Sequence, residues 1–170
     1  MRMARLLSLL VGIVMLVAVG SASAQTPATP PPAPPPAYGA PITLDQAKKL
    51  LAGAEAEAKK NNWGMVIVVL DSGGNLVALS RMDNAQIGSI EVAREKAYTA
   101  VAFRRPSKAF EDALGQGGTQ LRVLKLAGAV PLEGGLPIIV DGKLIGAVGV
   151  SGALATQDAQ VGRAGIEAMK

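Results

Sequence analysis

Lys96 has the clearest capacity for chemistry in this sequence, because it places a cation within an apolar stripe. On a helical wheel, Lys96 shares one face of a predicted helix with Ala100 and Phe103. A lysine in that position must reach solvent, pair with a carboxylate or face a cavity. Two interpretations stay open: a structural ion pair with Asp71 or Asp83, or a binding group for the carboxylate of a ligand.

A second group of side chains lies at the end of a predicted strand, in Arg81-Met82-Asp83. The alternation of a strand places Arg81 and Asp83 on one face and Met82 on the other. Arg81 could bind a ligand carboxylate through two parallel hydrogen bonds, or it could pair with Asp83 at the surface. Met82 is interpreted first as a core residue, because its thioether side chain fills irregular gaps.

Small residues form a third group. Residues 149–158 join a predicted strand to a predicted helix and include Ser151 and Gly152. Free N–H groups at the start of a helix can hold an anion, whereas a tight turn requires the same small residues. Gly134 and Gly135 allow the same two interpretations, as a turn or as the wall of a pocket.

The residue types that are absent exclude several classes of protein. The chain has no histidine and no cysteine, which excludes Ser-His-Asp and Cys-His catalysis, histidine-based metal sites and disulfides. Any proton transfer must therefore use Asp, Glu, Lys or Tyr. The formal net charge is only +4, aromatic residues make up 3% of the chain, and no stripe of Lys and Arg is visible. Nothing in the sequence supports nucleic-acid binding.

Two predicted hairpins and several helices must position these side chains. Residues 66–70 and 76–80 are predicted strands joined by a Gly-rich turn. A second pair of strands is predicted on either side of Asp141-Gly142. An Asp-Gly pair between apolar runs indicates a hairpin, because both central residues of its tight turn need a positive φ. A capping box at Thr43 and Gln46 begins the first helix. Further helices are predicted at about 89–103, 107–114 and from about 156 onward. The order of elements predicts an α+β domain built on an antiparallel sheet.

The first 24 residues predict a signal peptide. Arg2 and Arg5 precede an apolar run of 14 residues at 6–19, and a small-residue cleavage site follows at 22–24. The run is short for a bilayer, which needs about 20 apolar residues. We therefore expect cleavage, no stable membrane span afterwards, and a periplasmic or secreted protein.

The rest of the chain divides into a linker and one domain. Residues 25–41 hold eight of the 11 prolines, which predicts a polyproline II linker. Residues 42–170 have the size of a single domain. Because 49% of the chain is hydrophobic, a domain of this size is expected to leave apolar surface for self-association, and we expect a homo-oligomer.

Four ordered segments within residues 42–169 resemble the GlcG/HbpS family of haem-binding proteins. They are RMDNA, REKAYTAVAF, GGLPIIVDGKLIGAVGVSG and QDAQVGRAG. The resemblance implies a profilin-like or PAS-like sheet with helices on both sides. It also implies haem as a possible cofactor and closed assemblies of several copies.

If haem is the ligand, its propionates need cations and its iron needs an axial ligand. With no His or Cys available, Tyr98 and Met82 are the possible weak iron ligands, so we expect weak, exchangeable binding. Because Tyr98 shares a polar arc of its helix with Glu91 and Glu95, a surface or interface position is its other interpretation. The candidate ligand-binding residues are Arg81, Asp83, Lys96, Thr99, Gly134, Gly135, Ser151 and Gly152.

Two other functions stay open. Related sequences are linked with corrinoid adenosyltransferases and glycolate utilisation, which implies an enzyme or cofactor-handling domain for a small carboxylate or a corrinoid, with Lys96 and Asp83 acting together. The third possibility is a structural sensor partner without a ligand, held on the proline-rich linker.

Overall fold

A computed structural model describes residues 33–170. The predicted signal peptide and residues 25–32 of the predicted linker lie outside the described residues. Within the part that is described, no helix combines the length and apolar character needed to cross a membrane. The elements in chain order are β1 (Ala37–Tyr38), α1 (Leu44–Lys60), β2 (Val66–Asp71), β3 (Leu76–Arg81), α2 (Ser89–Ala102), α3 (Lys108–Gly115), a 3₁₀ helix (Gly118–Lys125), β4 (Gly135–Val140), β5 (Lys143–Ser151) and α4 (Ala155–Met169).

The sheet is organised around β5. This strand pairs antiparallel with β2 along one edge and with β4 along the other, and β3 pairs antiparallel with the outer edge of β2. Beyond the end of β2, β1 pairs in parallel with β5 at Lys143 and Leu144. Both predicted hairpins and the antiparallel sheet are confirmed, and the short parallel pair adds a feature that was not predicted.

Helices cover both faces of this sheet, which explains why β2 is apolar throughout. Ile67 and Val69 pack in the cluster formed with α1 and α4. Val66, Val68 and Leu70 point the other way and pack with α2. A strand buried on both faces has no polar positions to alternate with apolar ones. The predicted α+β fold with helices on both sides is therefore confirmed.

The capping box predicted at the start of α1 is confirmed. The Thr43 hydroxyl accepts a hydrogen bond from the Gln46 N–H at 3.2 Å, and the Thr43 N–H donates to the Gln46 side-chain oxygen at 2.9 Å. These bonds satisfy N–H groups that the helix itself leaves without partners. The helix then runs to Lys60, and its end forms one wall of a cleft described below.

The folded domain begins before the predicted boundary at Ile42. In addition to the pairing of β1 with β5, the Tyr38 hydroxyl donates to the Val101 carbonyl at 3.0 Å. The Arg104 guanidinium lies 5.4 Å from the centre of the Tyr38 ring. The last residues of the predicted linker therefore belong to the domain. A two-residue strand is too short to produce a periodic pattern, so the sequence could not reveal it.

Candidate functional site

Lys96 forms a buried ion pair with a residue of α4. Its Nζ donates to Asp158 Oδ2 at 2.7 Å and to the Val150 carbonyl at 3.1 Å. Both charged side chains are 3% exposed. The second carboxylate oxygen of Asp158 accepts from the Ala153 N–H at 3.1 Å. The ion-pair interpretation of Lys96 is confirmed, but both predicted partners were wrong.

The two aspartates predicted as partners have other environments. Asp71 accepts hydrogen bonds from the Gly73 and Asn75 N–H groups of its own hairpin turn, at 2.8 and 2.9 Å. Partial burial raises the pKa of Asp71, but the hydrogen bonds from Asn75 and Gly73 outweigh it and hold the pKa below its ordinary value. Asp83 is exposed and lines a cleft elsewhere. Lys96 and Asp83 therefore do not form the catalytic pair suggested from sequence.

The ion pair connects two helices that lie on opposite faces of the sheet. Burial raises the pKa of Asp158 above its ordinary value, although hydrogen bonding and attraction to Lys96 act in the other direction.

Gly134 and Gly135 make room for Lys96. A methyl group added at Gly134 would lie 3.0 Å from the Lys96 Nζ, and one added at Gly135 would collide with the Lys96 carbonyl. Gly134 therefore packs against the ion pair and Gly135 against the backbone of Lys96, with no room for a ligand carboxylate at either point.

A cleft of about 730 Å³ opens between the end of α1, the end of β3 and the loop after β5. It brings together four residues predicted from sequence: Arg81, Met82, Asp83 and Gly152. We call it the Trp63 cleft. Its full lining is Glu55, Lys59, Asn62, Trp63, Gly64, Ser80, Arg81, Met82, Asp83, Asn84, Gln86 and Gly152.

Sequence reasoning missed the other eight lining residues of this cleft, among them Asn62, Trp63 and Asn84. The two asparagines have left-handed backbones, with φ of 58° and 62°. Asparagine tolerates that region better than most residues, and such conformations gather at functional sites. Trp63 is the single tryptophan of the chain and follows the end of a predicted helix, a signal that could have identified it.

A second cleft, of about 440 Å³, lies beside α2. We call it the Tyr98 cleft. Tyr98 is 46% exposed, and within the described residues its hydroxyl has no hydrogen-bond partner. A smaller cavity of about 280 Å³ shares Tyr98 and Gly74 and extends toward Tyr38. The cleft is lined by Leu70, Gly74, Arg94, Glu95, Tyr98, Gly128, Ala129 and Val130.

Two further predicted residues, Thr99 and Ser151, line neither cleft. Thr99 is buried, and its hydroxyl accepts from the Val130 N–H at 2.8 Å, which fixes one wall of the Tyr98 cleft. Ser151 is buried, and its hydroxyl donates to the Ser89 hydroxyl at 3.0 Å. The other predicted residues fall into three separate places, the Trp63 cleft, the Tyr98 cleft and the buried ion pair, and Ser151 lies outside all three.

Comparison with known proteins gives consistent results. Protein GlcG of Escherichia coli K12 is 44% identical over 110 residues, which are 65% of this chain and 81% of GlcG. The corrinoid adenosyltransferase PduO of Salmonella typhimurium LT2 is 30% identical over 131 residues, 75% of this chain but only 39% of PduO. A crystal structure of a PduOC–haem complex has a TM-score of 0.69 at 28% identity, covering 75% of this chain and 94% of that chain.

A family model described as "Haem degrading protein HbpS-like" matches residues 42–167. That range contains every element from α1 to β5 and nearly all of α4. It also contains both clefts and the buried ion pair, and it agrees with the resemblance drawn from the four sequence segments. The chain belongs to the HbpS-like family.

Proposed function

We propose that this protein binds haem reversibly and that the Tyr98 cleft receives it. The observation that carries the proposal is the likeness to a structure that was determined as a haem complex, over 75% of this chain. Membership of the HbpS-like family supports the same ligand. Of the two clefts, the one beside Tyr98 has the chemistry that a porphyrin requires.

An apolar surface lines the Tyr98 cleft and extends beyond it. Leu70, Ala129 and Val130 form part of its wall. Leu76 is paired with Leu70 across the hairpin and is 56% exposed. Neighbouring strands carry paired residues on the same face, so Leu76 continues the apolar surface outward. A flat macrocycle could lie against this surface and bury area that is now in contact with water.

Polar groups at the same place suit the charged parts of haem. The Arg94 side chain is 63% exposed and lies 3.6 Å from Glu91, a distance typical of a weak surface ion pair. It can therefore turn to a propionate, which an arginine binds through two parallel hydrogen bonds. The Tyr98 hydroxyl is the candidate iron ligand, since tyrosinate is a known axial ligand of haem iron.

Binding of this kind should be exchangeable. The chain lacks the histidine and cysteine that hold haem firmly in many proteins. An open cleft also leaves one face of a bound macrocycle in water, so less apolar area is buried than in an enclosed pocket. Transport or sequestration of haem follows more naturally from such a site than permanent cofactor use.

Substitution of Tyr98 by Phe tests the site. Titration of residues 25–170 with hemin should give a saturable change in the Soret band. Tyr98→Phe should change the spectrum of the bound form and weaken binding about tenfold, which corresponds to about 1.4 kcal/mol. The matched control is Tyr38→Phe, because the Tyr38 hydroxyl is held by the Val101 carbonyl. Identical spectra and affinities for the parent protein and both variants would place haem elsewhere.

Light scattering of the same samples, with and without hemin, tests the predicted self-association.

We further propose that the protein acts outside the cytoplasm. The support is the charged start, the apolar run and the Ala22-Ser23-Ala24 cleavage site. The exported protein should begin at Gln25, which N-terminal sequencing of material from the periplasm or medium measures. Protein that stays in the membrane with residues 6–19 attached would contradict this proposal.

A corrinoid is the second candidate ligand, favoured by the likeness to PduO. This chain matches only 39% of that protein, so the resemblance does not extend to the adenosyltransferase activity of the whole relative. A corrinoid and a porphyrin are both large planar macrocycles and would compete for one apolar cleft. Displacement of bound hemin by cobalamin, followed at the Soret band, decides between them.

A further inference from the structure

We infer that the Trp63 cleft is a second ligand site, for a small zwitterion that carries a carboxylate and an ammonium group. Betaines and α-amino acids share this chemistry. The inference does not depend on haem binding, because the Trp63 cleft and the Tyr98 cleft have no lining residue in common.

The charges in the cleft favour a ligand with two opposite charges. Lys59 and Glu55 form an ion pair at 3.3 Å, and Glu55 also accepts from the Ser80 hydroxyl at 2.6 Å. Arg81 and Asp83 line the same cleft, and neither forms an ion pair with any of residues 33–170. A ligand with a single charge would satisfy one of these two groups and be repelled by the other. A zwitterion can satisfy both.

The guanidinium of Arg81 is already positioned. Its Nη2 donates to the Ala85 carbonyl at 3.1 Å. The segment that carries it is held at Met82, whose N–H donates to the Met65 carbonyl at 3.0 Å, and by a turn in which the Ala85 N–H donates to the Met82 carbonyl at 3.1 Å. A cation that is fixed before binding loses less entropy when a carboxylate arrives. The remaining N–H groups of Arg81 can serve that carboxylate.

Trp63 supplies the complementary surface for the ammonium group. Its backbone N–H donates to the Ala58 carbonyl at 3.0 Å, and its side chain packs partly against the core. Tryptophan is the best aromatic partner for a cationic ammonium, especially a methylated one. Asp83 adds a negative charge at the same cleft. Arg81 for the carboxylate, with Trp63 and Asp83 for the ammonium, form a complementary set.

The fluorescence of Trp63 reports directly on this cleft, because the chain contains no other tryptophan. Glycine betaine and the common L-amino acids are the probes, added to residues 25–170 and checked by calorimetry. Choline keeps the quaternary ammonium without the carboxylate, and tert-butylacetate keeps the carboxylate without the positive charge. We expect saturable binding of glycine betaine or of an amino acid, and at least about tenfold weaker binding of either fragment, about 1.4 kcal/mol. Comparing betaine with the amino acids identifies the source of the zwitterion.

Two variants assign the two ends of the ligand. Arg81→Met should weaken the zwitterion about tenfold or more and leave choline unchanged or improved. Asp83→Asn should weaken the zwitterion and leave tert-butylacetate unchanged or improved. Lys60→Met is the matched control, since Lys60 is a cation at the end of the same helix that pairs with Glu57 and does not line the cleft, and this variant should bind normally.

Three results would overturn the inference: no saturable binding of any zwitterion, fragments that bind as tightly as glycine betaine, or a simple sugar that binds more tightly than all of them. Unchanged binding in both variants would equally reject the roles given to Arg81 and Asp83. Hemin titration of Arg81→Met tests whether the two sites are independent. Haem affinity should not change when the Trp63 cleft loses its cation.

Discussion

Lys96→Met should lower the free energy of unfolding by about 3–5 kcal/mol, the range found when one partner of a buried ion pair is removed. Methionine keeps most of the volume of the lysine stem but leaves the Asp158 carboxylate without its partner at 2.7 Å. Both side chains are 3% exposed, so water cannot replace the lost contact. Thermal and urea unfolding at neutral pH measure the loss. Hemin affinity at a temperature where the variant is folded should be unchanged, since Nζ already has protein partners.

The loss should also depend on pH, in a direction that follows from Asp158. Burial raises the pKa of this carboxyl above its ordinary value of 3.8. A group whose pKa is higher in the folded state contributes stability below its unfolded pKa and loses that contribution as the pH rises. In Lys96→Met the lysine no longer opposes the effect of burial, so the pKa of Asp158 is raised further. The destabilisation should therefore be largest at neutral pH and shrink as the pH falls toward 3.8.

A double variant separates the charge from the shape of this site. Lys96→Met with Asp158→Leu replaces both charges by apolar groups, which is often neutral for a buried pair. Most of the stability should return, apart from about 1 kcal/mol for the hydrogen bond that Asp158 accepts from Ala153. A stable single variant with much weaker hemin binding would instead show that Lys96 serves the ligand.

The sequence was informative where local chemistry decides the structure. The Asp141-Gly142 turn, with φ of 47° and 73°, and the capping box at Thr43 are short-range features, and both were predicted. The apolar stripe drew attention to Lys96, and one of the two interpretations that it left open, a structural ion pair, is the one that the structure shows. The partner of Lys96 was missed because Asp158 lies 62 positions later on another helix. Contacts of that range follow from the packing of helices on the two faces of the sheet, which no periodicity encodes.

In the two clefts, too, residues that are neighbours in sequence were predicted and long-range contacts were not. Arg81, Met82 and Asp83 were singled out as neighbours in sequence, and they line one cleft. Trp63 joins them only because the end of α1 lies beside the end of β3, an arrangement supported by the Glu55–Ser80 hydrogen bond. Thr99 was predicted as a ligand contact but holds the Val130 loop instead. Sequence reasoning identified residue types with chemical capacity, while the tertiary contacts determined which of them face a cavity.

Gly135→Ala should prevent stable folding or cost about 3 kcal/mol or more, the upper end of the range for overpacked sites. A methyl group at this position would collide with the backbone carbonyl of Lys96 and lie 3.0 Å from the Ser107 hydroxyl oxygen. Backbone atoms cannot rotate away as a side chain can, so α2 would have to move off the sheet. That movement would also strain the ion pair, because Lys96 supplies both the carbonyl and the ammonium group. Soluble yield and urea unfolding measure the effect.

Gly115→Ala is the matched control for this substitution. Gly115 ends α3, and a methyl group there would meet no atom within 4 Å. Alanine is a better helix former than glycine and restricts the unfolded chain, so this variant should be as stable as the parent or gain about 0.4–1 kcal/mol. Normal stability of Gly135→Ala would mean that α2 does not rest directly on the start of β4. In that case the two glycines would again be candidates for the wall of a ligand pocket, as one interpretation of the sequence had them.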